Sequence, residues 1–239
     1  GVQGGLSTAQ ISTTGDLSVA SGTVVIPAGS LTVDFDVTAG ANATGTGTIT
    51  VSSGGVDVST TVTISTLPSE CFIISEGVEG ASFNKAVELY NCGSSDVTMD
   101  GVTLCQVNGN NTNCTSELAL TGTLAAGETY VICNAQMSDK TACDIEDGVT
   151  SFNGDDRLIL FAELGGGADT YDEGTDTLFD AFGEYATNPG SRLWENATYD
   201  RCNFTPYNGV DAFDVSTYFN ELPQDTFSGL GQAPVMGCN

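Results

Sequence analysis

Apolar and polar residues alternate one by one through much of this chain. Leu31, Val33, Phe35 and Val37 are interleaved with Thr32, Asp34 and Asp36. Ile49 and Val51 alternate with threonine, and Val56, Val58, Val62 and Ile64 lie two or four apart with Asp and Thr between them. A period of two with one apolar face is the pattern of antiparallel sandwich strands. Pro27-Ala28-Gly29-Ser30, the glycine-bearing stretch 40–47 and Ser53-Gly54-Gly55 interrupt these runs and predict turns. Further on, an apolar stretch ending at Ile74 enters a polar loop around Gly80, and Ala86, Glu88 and Tyr90 alternate in the strand that follows. Helical signals are scarce; only residues 211–220 predict a helical turn.

The pattern divides the chain. Residues 1–66 hold no cysteine and a single sign of charge. The phrase from Thr23 to Phe35 resembles bacterial immunoglobulin-like or Calx-β-like surface repeats, of which only the later strands are represented. A sandwich lacking a strand leaves an unpaired edge. Either upstream sequence has been removed, or a strand of a neighbouring copy fills the gap, with the segment from Gly1 to Ile11 as the candidate arm. Head-to-tail exchange of that kind builds an open filament. Residues 67–70 read as a linker, because Pro68 cannot donate into a ladder and holds Leu67 extended. Residues 71–239 form the second module. The expected fold is all-β: two immunoglobulin-like β-sandwich modules in tandem, the second disulfide-rich.

Ordered motifs run through the second module. Ile74-Ser75-Glu76-Gly77-Val78-Glu79-Gly80 leads to Asn84-Lys85-Ala86-Val87-Glu88-Leu89-Tyr90-Asn91. Residues 120–132, with Gly127-Glu128-Thr129-Tyr130, follow. After them come Asn153-Gly154-Asp155-Asp156-Arg157, Asp180-Ala181-Phe182-Gly183, Asn188-Pro189-Gly190 with Trp194, and residues 223–231. Over residues 71–232 this series resembles a lamin-tail domain, with 120–132 in the place of the family's central hairpin. The acidic stretch 165–177 is longer than the family pattern. The resemblance implies an immunoglobulin-like sandwich acting as a structural or binding module, in some relatives as an accessory to secreted nucleases and phosphatases.

Charge narrows the partners. Thirty-one Asp and Glu oppose five basic residues among 239, a formal net charge of −26. Nucleic-acid affinity comes largely from Lys and Arg displacing counterions, so nucleic acid is excluded as a partner. Anionic membrane surfaces are disfavoured for the same reason, and no stretch approaches the length of a membrane span. Cations, cationic surfaces or further copies bridged by Ca2+ remain; solubility in a salty medium is the plainer reading. Histidine is absent, which removes Ser-His and Cys-His nucleophile systems. Ser82 and Lys85 satisfy Ser-x-x-Lys, but the partner motifs of that chemistry are missing and Lys85 has Glu76, Glu79 and Glu88 nearby to neutralise.

Eight cysteines, Cys71, Cys92, Cys105, Cys114, Cys133, Cys143, Cys202 and Cys238, contain no C-x-x-C pair, so they predict disulfides in an oxidising compartment and argue against zinc. Cys105 and Cys114 flank a predicted hairpin tip, and Cys133 and Cys143 bracket a short loop. Nothing local decides the other four, which are assigned as Cys71–Cys238 and Cys92–Cys202. Five N-x-Thr sequons begin at Asn42, Asn110, Asn113, Asn196 and Asn203, each a glycosylation acceptor on an exported chain. The first residues lack a basic start and an apolar run, so the chain reads as a processed or excised segment.

Two acidic clusters are candidate Ca2+ sites, since Ca2+ takes six to eight hard oxygens from flexible loops. One comprises Asp144, Glu146 and Asp147 with Asp155 and Asp156; the other Asp169, Asp172, Glu173 and Asp176. Neither has EF-hand spacing. The aromatics Tyr171, Phe179, Phe182, Tyr185, Trp194, Tyr199, Phe204 and Tyr207 either stack on carbohydrate or pack between strands. The sequence therefore points to a non-catalytic, extracellular or cell-surface structural or adhesive protein. Its partners are further copies or other matrix and surface proteins, and one form it takes is a filament subunit. The alternative is an accessory binding module of a larger secreted enzyme.

Overall fold

The computed structural model describes residues 7–15, 17–39, 45–64, 71–163, 171–172, 174–184 and 193–238. The chain divides into two compact units, Gly1–Thr66 and Leu67–Asn239. Residues 1–6, Asn42, the expected linker at 67–70, Asp169, Glu173, Tyr185, the turn at 188–190 and Arg192 lie outside the described residues.

The first unit holds strands β1 (Ser7–Thr13), β2 (Leu17–Val19), β3 (Thr23–Ile26), β4 (Val37–Ala39), β5 (Gly45–Ser53) and β6 (Val56–Ile64). They form a four-stranded sheet in the order β3-β1-β5-β6 and a two-stranded sheet of β2 and β4. Gly54 and Gly55, both at positive φ (61° and 81°), make the two-residue connection between β5 and β6. That backbone twist matches the twist of paired strands, and it favours glycine at both positions. Only part of the 31–37 alternation becomes a strand. Val37–Ala39 pairs with β2, whereas Leu31 is 98 % exposed. An alternating run forms a ladder only where it meets a partner, and residues 31–36 meet none among the described residues. Residues 7–11 of the candidate arm lie in β1, between β3 and β5 of their own sheet. They are a built-in strand and not a free arm.

The second unit begins with β7 (Phe72–Glu79), β8 (Lys85–Asn91), β9 (Val97–Thr98), β10 (Val102–Val107), β11 (Ser116–Ala119) and β12 (Thr123–Leu124). It continues with β13 (Thr129–Cys133), β14 (Ile145–Glu146), β15 (Arg157–Ala162), β16 (Thr177–Phe182), β17 (Ala197–Arg201) and β18 (Phe219–Pro223). One sheet runs β14-β13-β8-β7-β17-β18, the other β11-β10-β15-β16. Their facing sides share one core: Phe72, Ile74, Val87, Leu89 and Tyr199 from the first sheet meet Leu104, Leu158, Leu160 and Phe182 from the second. The all-β class with a disulfide-rich second module is thus the observed one. In 120–132 the two short strands do not pair with each other: β12 joins β9 and β13 joins β8. The helical turn is present at Val215–Tyr218, capped by the Asp214 side chain accepting from the Ser216 amide.

All eight cysteines are paired. Cys105–Cys114 and Cys133–Cys143 close their short loops, and the other two bonds are Cys71–Cys92 and Cys202–Cys238. The assignment Cys71–Cys238 with Cys92–Cys202 is therefore corrected. Antiparallel pairing of β7 with β8 sets Phe72 opposite Asn91, which places the flanking Cys71 and Cys92 side by side with Cα atoms 5.0 Å apart. Four disulfides belong to an oxidising compartment. No helix among the described residues is long and apolar enough to cross a membrane.

Candidate functional site: an acidic row under a glycine flap

Val87 and Leu89 point into the core, so Glu88 between them faces the outer side of the six-stranded sheet. Its cross-strand partner on β7 is Glu76, and the partner of Glu76 on β17 is Asp200. Three carboxyl groups therefore stand in one row across three neighbouring strands. A register shift between Ile74 and Glu76 makes this possible. Ser75 is the extra residue of a β-bulge, a device that re-aims side chains. Ile74 faces the core and Glu76, two positions later, faces outward. The Ser75 hydroxyl donates to Glu88 Oε1 at 2.7 Å.

Residues 226–232 close over the row as a flap. The Gly231 amide donates to Glu88 Oε2 at 2.6 Å. Gly229 lies so close to Glu76 that a Cβ there would fall 2.3 Å from Oε2. Leu230 anchors the flap against Val78, Ala86, Val131, Cys133 and Met137. Glu76 and Glu88 are each 1 % exposed. Two buried oxygens near the row have no hydrogen-bond partner, Oε1 of Glu76 and the hydroxyl of Thr198. Thr198 pairs with Val78 and so shares the outer face.

Burial pushes the Glu76 carboxyl up to about 8, helped by the charges of Glu88 and Asp200. Burial likewise lifts Glu88, but donation from Ser75 and Gly231 opposes it and the group settles at about 7. Asp200 is raised by burial. The described basic side chains are engaged elsewhere: Lys85 pairs with Glu79, Lys140 with Glu146 at 2.7 Å, and Arg201 with Asp180 at 2.8 Å, while Arg157 donates to the Gly109 and Asn111 carbonyls.

The sequence-read candidates occupy other places. Asp144 accepts from the Val131 amide, Glu146 holds Lys140, and Asp147 caps the turn Gly148–Thr150. Asp156 accepts from the Asn153 and Gly109 amides and ties two loops together, and Asp155 acts on Arg157. Asp176 accepts from the Asp172 amide, and Asp172 from that of Gly174. Among the described residues no three of these carboxylates converge; the one such group of potential ligands is Cys105, Cys114 and Glu117, and its two cysteines are joined to each other.

Lys85 donates to Glu79 and to the Gly80 carbonyl at 3.1 Å. Asn110, Asn113 and Asn196 are exposed, while Asn203 uses its side-chain amide on the Thr217 carbonyl. Phe182, Trp194, Tyr199 and Tyr207 are buried, with Phe182 and Trp194 ring centres 5.3 Å apart, so these aromatics build the core rather than a carbohydrate platform. The acidic row was missed because Glu88 beside Lys85 reads as surface alternation. Its one signal was a glutamate sharing a face with Ala86 and Tyr90.

No family profile and no curated protein matches the chain. Among solved structures it is similar to the crystal structure of a DUF4876 family protein from Bacteroides thetaiotaomicron, at 13% sequence identity and a TM-score of 0.40 over 98% of this chain and 94% of that one.

Proposed function

We propose that the chain is a non-catalytic extracellular structural or adhesive protein that assembles with further copies of itself through its first unit. The observation that carries this reading is the open sheet of that unit. β6 is nine residues long and ladders only to β5 among the described residues, and Val56 and Val58 on it are 64% and 68% exposed. A long edge strand without proline or an inward charge is a template for pairing with another chain. The other edge of the sheet is β3, so joining β6 of one copy to β3 of the next is heterologous and propagates. The lamin-tail resemblance of residues 71–232 supports a structural module. Glycans at the exposed Asn110 and Asn113 belong to the same reading.

With a net charge of −26, Ca2+ is proposed to bridge copies by relieving their repulsion. Size-exclusion light scattering with Ca2+ and then with chelator tests the proposal. Assemblies of many copies are expected, and their loss on chelation places Ca2+ at the joints. A monomer in both conditions overturns self-assembly and favours the accessory binding module that the resemblance also implies.

A further inference from the structure

We propose that Glu76 is a proton-operated latch: while its carboxyl group holds a proton, the flap at 226–232 stays closed over the acidic row, and loss of that proton opens the flap to water. Like charges directly opposite on paired strands repel, and Glu88, Glu76 and Asp200 stand in that relation in sequence across three strands. The two glutamates are not equivalent. Glu88 has donors for both oxygens, Ser75 and Gly231, and is built to be an anion. Glu76 has an unpartnered buried oxygen and a flap glycine against its other oxygen. The arrangement fits one charge on Glu88 and a neutral acid at Glu76. Their pKa values, about 7 and about 8, follow the same order; the protons belong to the pair as a coupled system.

Among the described residues no neighbouring cation relieves the second charge. Around the row, Lys85 is held by Glu79 and Lys140 by Glu146. Asp144 accepts from Val131, and Asp225 from the Ala81 amide and the Asn84 side chain. Asp139 caps Thr141, and Glu221, Tyr130 and Tyr199 bring no positive charge. Among the described groups none is left for ionised Glu76, which turns to water. Leu230 and Gly231 of the flap line an open recess of about 350 Å³ with Asp139 and Thr141, which gives water access to the flap. Entering water also supplies partners to Thr198 and to Glu76 Oε1. The flap is held by β18 before it and by the Cys202–Cys238 bond after it, so opening is a local lift and not release of the chain end.

The test is amide hydrogen exchange on the full chain at pH 6, 7.5 and 9, corrected for intrinsic rates. Protection at Leu230, Gly231 and Gln232 is expected to fall about tenfold per pH unit between pH 6 and the Glu76 midpoint near 8 and to level off above it, since only below that midpoint does the closed flap bind one more proton than the open one. Protection at Leu104 and Leu160 in the opposite sheet is expected to stay level. Glu76→Gln, which copies the protonated acid, is expected to keep the flap protected at pH 9. An unchanged wild-type flap, or the same loss in E76Q, overturns the proposal. Should the variant not fold, carboxyl-carbon NMR titration of the wild type decides: a midpoint below pH 6 for every buried glutamate also overturns it.

Discussion

Arg201 and Asp180 are both fully buried, yet neither is short of partners. Asp180 accepts from the Ile74 and Tyr207 amides as well as from the guanidinium, and Arg201 reaches the carbonyls of Ile74, Asn203 and Thr205. A buried pair is tolerable only with that degree of satisfaction. Glu76 lies on the opposite side of the balance. Its folded-state value of about 8 exceeds the ordinary 4.5, so between those values the folded chain binds more protons than the unfolded one. Stability must then fall as pH rises from about 4.5 to about 8 and level off above. The glutamine variant removes that penalty: relative to wild type, E76Q is expected to gain on the order of 1–3 kcal/mol at pH 8.5 and little at pH 5. Urea midpoints at the two pH values measure it. An equal offset at both would mean that the effect is not ionisation.

At the scale of elements, local rules carry some of this fold and pairing carries the rest. The β5–β6 hairpin follows from its alternation and its Gly-Gly turn. Gly55→Val is expected to cost about 1–2 kcal/mol, because φ is +81° there and a side chain strains against the carbonyl. Circular dichroism during thermal unfolding would show the loss, and Gly55→Asn, which tolerates that region, should recover part of it.

The alternation of Ala86, Glu88 and Tyr90 was also legible, as were the two short-loop disulfides. What could not be read depends on contacts between distant segments. The bulge at Ser75 puts Ile74 and Glu76, two residues apart, on opposite faces. No period in the sequence announces that change, and without it the acidic row cannot be drawn. Cys71 and Cys92 meet because of a strand register, not because of spacing. Residues 31–36 carry a strand pattern with no neighbour among the described residues to receive it.

The whole molecule sets an acidic exterior around a small number of cations placed with care. Arg157 and Arg201 are 0% exposed and Lys85 is 6% exposed; among the described residues only Lys140 stands in the open, with its side chain 37% exposed. Seen by a protease that cuts after lysine or arginine, the folded second unit offers one reachable bond in its described part, after Lys140. That bond lies inside the loop closed by Cys133 and Cys143. Brief trypsin digestion of the native protein is expected to clip there before Lys85, Arg157 or Arg201, and the two pieces made by that cut should separate on a gel only once reductant is added. Scission at Arg157 or Arg201 before any at Lys140 would contradict the burial described above. With its described cations mostly interior, the described part of the second unit is hard for trypsin-like enzymes to dismantle, and the clip after Lys140 leaves the pieces it makes tied together.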